Sequence, residues 1–156
     1  MLQQSLAAAA IGIFEATIEK IVTLAILMPI VASMGGIAGM QSLALVIRSQ
    51  ATNQIGSSNS KLLILKESAI GVLNGILWSS VVSIAVYLWF DSVFLGVVIA
   101  VALLVNLIIG AISGVTLPLI LKKLNIDPAI AGGVILTTIT DIVGFISLLG
   151  VATLIM

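Results

Sequence analysis

The chain has 156 residues, of which 61% are hydrophobic and 8% are charged, and its six basic residues balance its six acidic ones. A soluble domain carries about 25% charged residues, so this composition excludes a water-soluble globular enzyme and indicates an integral membrane protein. The absence of Cys and His removes the usual ligands of zinc, haem and iron–sulfur sites and the base of ordinary hydrolases. The balanced charge predicts no nucleic-acid partner, since binding to phosphates needs a cationic surface.

Five apolar stretches, separated by the charged residues, are each about as long as a membrane-spanning helix, which needs roughly 20 residues. They cover residues 2–18, 21–47, 68–90, 93–121 and 129–156. Continuous runs of this length favour helices, because the strands of a membrane barrel alternate in polarity over about ten residues. We predict an all-α integral membrane fold of five transmembrane helices, forming one ion-conducting domain over residues 1–156.

The first stretch is the poorest of the five. Gln3, Gln4 and Ser5 stand at its start, and its apolar length is marginal for a membrane span. Glu15 and Glu19 lie near its other end. We expect these two carboxylates to form an acidic mouth that attracts cations, and simple hydration at the membrane interface is the alternative.

The second stretch combines a proline with a run of small residues. Pro29 removes a helical hydrogen-bond donor, and residues 33–39 (SMGGIAG) carry little side-chain bulk. Irregular backbone at membrane depth is tolerated only where it is buried or lines an aqueous cavity. Close helix packing through a GxxxG pair is the alternative. We favour a pore wall, because another span carries a deep carboxylate; the expected lining residues are Ser33, Gly35, Gly36, Ile37, Gly39 and Gln41.

Small residues also recur in the fourth stretch, where Asn106, Gly110 and Gly114 are spaced four residues apart. Residues at this spacing share one face of a helix. Small residues let transmembrane helices approach closely, and an amide can add a hydrogen bond between them. We interpret this stripe as a helix contact.

The basic residues predict the orientation of the chain in the membrane. Lys20 stands on one side, and the loops after the second and fourth stretches hold Arg48, Lys61, Lys66, Lys122 and Lys123. Lysine and arginine accumulate in cytoplasmic loops. We therefore expect the N-terminus inside and the C-terminus outside, in the cell inner (plasma) membrane, with the acidic mouth facing outwards.

Asp141 is the most informative residue, because it lies about 12 residues into the fifth stretch. At 1.5 Å per residue this is roughly 18 Å deep, near the middle of a hydrocarbon core about 30 Å thick. A central Asp costs about 2.5–3.5 kcal/mol on insertion scales, and such residues usually face a bundle interior or a cavity. We favour an ion or proton pathway, and a protonated Asp bonded to a neighbouring helix is the alternative.

The neighbours of Asp141 support a hydrated site. Thr137 lies four residues before it, Thr138 three before it and Gly144 three after it. Residues at these spacings share one face of a helix. Intramembrane aspartyl proteolysis would instead need a second carboxylate close by. Asp127, in a predicted loop, is the one candidate for it, so we predict no enzyme activity.

Four segments together resemble a known family in order and spacing. They are FEATIEK (14–20), MPIVASMGGIAGMQ (28–41), LPLILKKLNIDPAIAGG (117–133) and TTITDIVGF (137–145). Over nearly the whole chain the sequence resembles the transmembrane domain of the MgtE family of magnesium channels and transporters. The resemblance implies five transmembrane helices, a homodimer and a pore lined by spans two and five. It also implies that Asp141 holds Mg²⁺ in the membrane, helped by the backbone carbonyl of Thr137.

The sequence departs from the family pattern in two places. Family members commonly read GGN in span two, whereas Ile37 follows Gly35 and Gly36 here. Members also usually carry a cytoplasmic N-terminal domain, paired CBS domains and a connecting helix that gates the pore. We expect none of these within this chain, so gating would fall to separate cytoplasmic regulatory domains.

The chemistry of Asp141 suits Mg²⁺, which keeps several waters and uses one or two carboxylates. A two-fold axis would bring two Asp141 side chains to one site. Mn²⁺, Co²⁺ and Ca²⁺ also accept oxygen ligands. We predict a lipid-embedded homodimer that moves hydrated Mg²⁺ down its electrochemical gradient. Alternatives are a non-conducting packing or regulatory module and a proton-coupled carrier that uses Asp141.

Overall fold

A computed structural model describes residues 2–52 and 60–156, and six helices make up this part of the chain. They are α1 (Leu2–Gly12), α2 (Glu15–Lys20), α3 (Thr23–Ala51), α4 (Ser60–Phe90), α5 (Val93–Lys123) and α6 (Pro128–Ile155). Helices α3 to α6 are long and apolar enough to cross a membrane. The all-α membrane fold is therefore confirmed, and these four helices correspond to the second to fifth predicted stretches.

The first predicted stretch is not one helix over residues 2–18. Helix α1 ends at Gly12, α2 begins at Glu15, and neither is long enough to span a membrane. Gly12 disfavours a continuous helix because glycine costs about 1 kcal/mol relative to alanine in a helix interior. Phe14 has a non-helical φ of −110° and ψ of 21°. A fifth crossing by this segment stays a prediction.

The N-terminal segment lies along α6. Helix α1 packs against α6, and the hydroxyls of Thr17 and Thr153 are 2.8 Å apart. Phe14 approaches Gly150, where a Cβ atom would lie 3.9 Å from the phenyl Cζ. Residues 3 to 17 therefore run beside α6 from Thr137 to Thr153.

Helix α3 continues unbroken through its proline and its glycines. Pro29 lies on an exposed face. Gly39 lies so close to α5 that a Cβ atom there would be 2.9 Å from the Gly110 carbonyl oxygen. A Cβ atom on Gly110 would lie 2.5 Å from the carbonyl oxygen of Gly35. Gly35 and Gly39 thus serve close helix packing, and the backbone of α3 stays helical.

Helix α5 is the centre of the bundle and packs against α3, α4 and α6. Asn106 is fully buried on it, and its side-chain Nδ2 donates to the carbonyl oxygen of Val31 on α3 at 2.7 Å. The predicted helix contact through Asn106, Gly110 and Gly114 is confirmed. A second bond joins α3 to α4, where the Ser42 hydroxyl donates to the buried Glu67 carboxylate at 2.8 Å.

Two tight turns determine the residues at which α5 and α6 begin. Asp91 adopts a left-handed φ of 48° between α4 and α5, a conformation that Asp tolerates better than most residues. Asp127 caps α6 by accepting from the Ala129 backbone N–H at 2.8 Å, and Pro128 occupies the first turn. These signals start α6 at Pro128 and make Asp141 the fourteenth of its 28 residues.

Candidate functional site

An open groove of about 610 Å³ runs between α1, α3 and α6. Its lining residues are Gln3, Ala32, Ser33, Gly36, Ile37, Met40, Gln41, Ala44, Thr137 and Asp141. On α3 these residues repeat every three to four positions, and on α6 the two residues are four apart, so each helix contributes one face. The groove therefore collects most of the polar side chains that the two helices carry at mid-length.

The carboxyl group of Asp141 lies in this groove without a basic partner among the described residues. It is half-buried, and its Oδ2 accepts a hydrogen bond from the Gln3 side-chain Nε2 at 3.1 Å. Within residues 2–52 and 60–156, Asp141 forms no ion pair. A carboxylate that is left without a cation at the middle of an apolar helix is able to bind one.

The two threonines before Asp141 have different environments. The Thr137 hydroxyl lies on the groove, accepts from Gln3 Nε2 at 3.2 Å and donates to the Gly133 carbonyl at 3.0 Å. The Thr138 hydroxyl donates to the Val134 carbonyl at 2.7 Å and does not line the groove. The helical rotation of about 100° between neighbouring residues accounts for this difference.

The backbone carbonyl of Thr137, which the family resemblance implies as an ion ligand, lies inside the α6 hydrogen-bond network. It accepts from the Thr140 hydroxyl at 3.1 Å, and Thr140 is buried. The side-chain oxygens of Thr137 and Asp141 are the α6 groups on the groove.

Helix α3 supplies Ser33, Gly36, Ile37 and Gln41 to the opposite wall. The Ser33 hydroxyl donates to the Ile30 carbonyl at 3.2 Å, which leaves its lone pairs free to accept from water. A Cβ atom on Gly36 would meet Thr140 Oγ1 at 3.7 Å, an ordinary contact. Ile37 is 60% exposed, so an apolar side chain lies between the polar groups of Ser33 and Gln41 on this wall.

Three glycines that we expected at the pore or beside Asp141 lie in helix contacts within the single chain, and their exposure to a pore stays a prediction. Gly35 and Gly144 face the side chain of Asn106 from two sides, and Gly39 contacts Gly110 and Leu136. A turn of 100° separates Gly35 from Gly36, so the packing face and the groove face of α3 lie side by side. Gly36 is thus the predicted glycine that lies on the groove.

Gln3 is the groove residue that sequence reasoning missed. Its position at the start of the weakest apolar stretch marked it only as a polar flank. A glutamine in an otherwise apolar segment is a usable signal, since buried amides need hydrogen-bond partners. The contact with α6 spans 138 positions of sequence, so no local pattern predicts the partner.

The charged ends of the bundle are well separated. Glu15 and Glu19 are exposed on α2, which lies near the C-terminal end of α6. Lys122 and Lys123 are exposed in the last turn of α5, next to the N-terminal end of α6. The acidic helix α2 and the basic last turn of α5 therefore lie at opposite ends of the helix that carries Asp141.

A family model and three curated relatives all relate this chain to one family of transporters. The model of the MgtE family, described as a divalent cation transporter, matches residues 28–151. The chain is 38% identical over 143 residues to the magnesium transporter MgtE of Bacillus subtilis, covering 92% of this chain and 32% of that protein. It is 30% identical over 149 residues to the magnesium transporter MgtE of Enterococcus faecalis, covering 96% and 33%. With the magnesium transporter MgtE of Thermus thermophilus it shares 32% identity over 143 residues, covering 92% and 32%. The chain spans about a third of the length of these curated relatives.

Proposed function

The chain belongs to the MgtE family of divalent cation transporters, and from this premise we propose that it forms a pathway for Mg²⁺ through the membrane, with Asp141 as the ion-binding residue. The observation that carries the proposal is the Asp141 carboxylate, which lies at mid-helix, without an ion pair in the described residues, in an open groove that also holds Ser33, Gln41 and Thr137. The magnesium transporter relatives support Mg²⁺ as the ion.

The groove offers the kind of ligands that Mg²⁺ uses. This ion needs six oxygen ligands in near-octahedral geometry, sheds water reluctantly and is commonly held by one or two carboxylates. Asp141 supplies the charge, and the hydroxyls of Ser33 and Thr137 and the amide of Gln41 can bond to the waters that the ion retains. The same oxygen set accepts Mn²⁺, Co²⁺ and Ca²⁺, and we rank these behind Mg²⁺.

A second copy of the chain would complete the site. In a single chain the groove is open, and its mid-membrane carboxylate would face lipid at a cost of about 2.5–3.5 kcal/mol. A two-fold axis beside the groove would place α3 and α6 of both copies around one pore. The two Asp141 carboxylates would then balance the charge of one divalent ion. We propose this homodimer as the conducting form.

The membrane potential is sufficient to drive the ion inwards. Moving two charges through 100 mV releases about 4.6 kcal/mol, at roughly 2.3 kcal/mol for each charge. We propose that the acidic end, with Glu15 and Glu19, faces outwards and that the basic end, with Lys122 and Lys123, faces the cytoplasm. A cation would then enter at the negative end and leave at the positive end.

The test is Mg²⁺ uptake into proteoliposomes that contain this chain and carry an inside-negative potential. We expect saturable uptake by the wild type and its loss in Asp141→Asn. The matched control is Asp127→Asn on the same helix, where Asn keeps the helix cap and uptake should persist. Equal uptake by Asp141→Asn and the wild type would contradict the proposal. Proton movement that depends on Asp141, without Mg²⁺ uptake, would assign it to a proton-coupled carrier instead.

A further inference from the structure

We propose that Gln3 is a positioning residue for the cation site, and that its side-chain amide orients the Asp141 carboxylate for the ion. The inference rests on the proposed role of Asp141. It concerns α1, a helix that neither the sequence analysis nor the proposed pathway placed at the site.

One amide nitrogen bridges the two polar groups that α6 presents to the groove. Gln3 Nε2 lies 3.1 Å from Asp141 Oδ2 and 3.2 Å from Thr137 Oγ1. These acceptors stand one helical turn apart, and the amide nitrogen has two hydrogens, one for each. Gln3 is itself half-buried and lines the groove. The geometry therefore fixes the carboxylate and the hydroxyl relative to each other.

The bridge leaves the atoms that an ion needs free. Asp141 Oδ2 is engaged, while Oδ1 forms no bond within the described ranges 2–52 and 60–156. The carbonyl oxygen of the Gln3 amide is likewise unengaged in those ranges, so it can accept a hydrogen from an ion-bound water. One end of the amide thus holds the ligand, and the other can hold the hydration shell.

The chemical type of the donor matters as much as its position. A lysine or arginine here would orient the carboxylate, but it would also neutralise it and compete with the ion. The Gln3 amide is neutral, so it restricts the carboxylate and leaves its full negative charge for the cation. This combination is what a ligand-orienting residue requires.

Positioning is needed because the terminal torsion of an aspartate is broad, whereas Mg²⁺ tolerates little deviation from octahedral geometry. Hydrogen bonds from outer-shell groups to metal ligands typically contribute 10–100-fold in metal affinity. A larger ion such as Ca²⁺ accepts six to eight oxygens in flexible geometry. Loss of the Gln3 bond should therefore weaken Mg²⁺ binding more than Ca²⁺ binding.

Gln3 could instead serve only to attach α1 to α6, but other contacts make that attachment as well. The Thr17 and Thr153 hydroxyls form a 2.8 Å bond, and Phe14 packs beside Gly150. The two roles make different predictions for Mg²⁺ affinity when the amide is replaced by an apolar chain or by a shorter amide.

The experiment compares Gln3→Met with Gln4→Met, using calorimetric titration of the purified full chain in detergent with MgCl₂ and, separately, CaCl₂. Methionine keeps the length of the side chain and a comparable helix propensity. Gln4 is the matched control, because it is exposed on α1 and does not line the groove. We expect Gln3→Met to raise the Kd for Mg²⁺ by about 10–100-fold, with a smaller change for Ca²⁺, and Gln4→Met to bind as the wild type does.

A second variant keeps the test decisive if Gln3→Met disturbs the fold. Gln3→Asn keeps a neutral amide but is one methylene shorter, so it should not reach both Asp141 Oδ2 and Thr137 Oγ1, and it should bind Mg²⁺ more weakly than the wild type. A purely attaching role predicts wild-type affinity in Gln3→Asn.

The outcomes distinguish a failure of the role of Gln3 from a failure of the proposed role of Asp141. Wild-type Mg²⁺ affinity in both Gln3 variants, with no Mg²⁺ binding by Asp141→Asn, would overturn the role of Gln3 and leave the proposed function standing. Wild-type affinity in Asp141→Asn would overturn the proposed function itself.

Discussion

At the scale of the residue, the question is how an apolar helix tolerates the carboxyl group of Asp141. Insertion of a central carboxylate costs about 2.5–3.5 kcal/mol. A hydrogen bond to a charged group contributes about 1.5–3 kcal/mol, so the bond from Gln3 offsets most of that cost. The carboxylate remains in the groove without an ion pair, and its charge remains available to a cation.

Ile37 gives a prediction at this scale. It lines the groove with Asp141 and is 60% exposed, so Ile37→Asn removes little packing and adds an amide that can bond to a hydrated ion. We expect the variant to fold and to raise the rate of Mg²⁺ uptake or its selectivity over Ca²⁺ in proteoliposomes. Ile26→Asn is the control, because Ile26 is 61% exposed on the same helix and lies off the groove. Rates and selectivity that match the wild type would remove Ile37 from the pathway.

At the scale of the element, helix contacts depend on glycines that leave no room for a side chain. Gly35 and Gly39 on α3 meet Gly110 and Gly114 on α5 through backbone atoms. Asn106 adds a bond to Val31 in the same interface. Close approach of backbones, with an occasional polar bond, is how helices associate in a membrane, because lipid gives little hydrophobic drive between them.

Gly110→Ala tests this contact. A Cβ atom there would lie 2.5 Å from the Gly35 carbonyl oxygen, so α3 and α5 would have to separate, and overpacking of this kind costs about 1–3 kcal/mol. We expect a lower melting temperature in detergent. Gly12→Ala is the control, because nothing lies within 4 Å of its added Cβ; it should be neutral or stabilising by up to about 1 kcal/mol. A Gly110→Ala variant as stable as Gly12→Ala would argue against tight packing.

Features that depend on nearby residues could be predicted from the sequence, whereas contacts between distant residues could not. Apolar length predicted the four long helices, although α4 begins at Ser60 and not at residue 68. The GxxxG spacing indicated the packing face of α3, and the predicted lining residues include that face together with the groove face beside it. The bonds from Gln3 to Asp141 and from Ser42 to Glu67 join residues far apart in sequence. Such contacts depend on tertiary packing, and periodicity along one helix contains no information about them.

At the scale of the whole molecule, the charges are separated along the axis of α6. The acidic α2 lies at one end of α6 and the basic turn after α5 at the other, with Asp141 between them. In a membrane, a lysine or arginine near the surface contributes about 1 kcal/mol of attraction to the anionic cytoplasmic leaflet. The charge distribution therefore favours an orientation in which the basic end faces the cytoplasm. In that orientation, cations from outside would first meet the acidic end.

That orientation predicts which ends of the helices react with a label from each side. The natural sequence contains no cysteine, so Thr52→Cys, just after α3, and Ser92→Cys, in the turn between α4 and α5, each create a unique site. With a membrane-impermeant maleimide, we expect Ser92→Cys to react in intact cells. Thr52→Cys should react only in inside-out vesicles, because it lies at the basic end that should face the cytoplasm. The wild type should not react in either preparation. The reverse pattern would mean that cations meet the basic end first. Reaction of both sites from one side would overturn the single crossing, by α4, that lies between them.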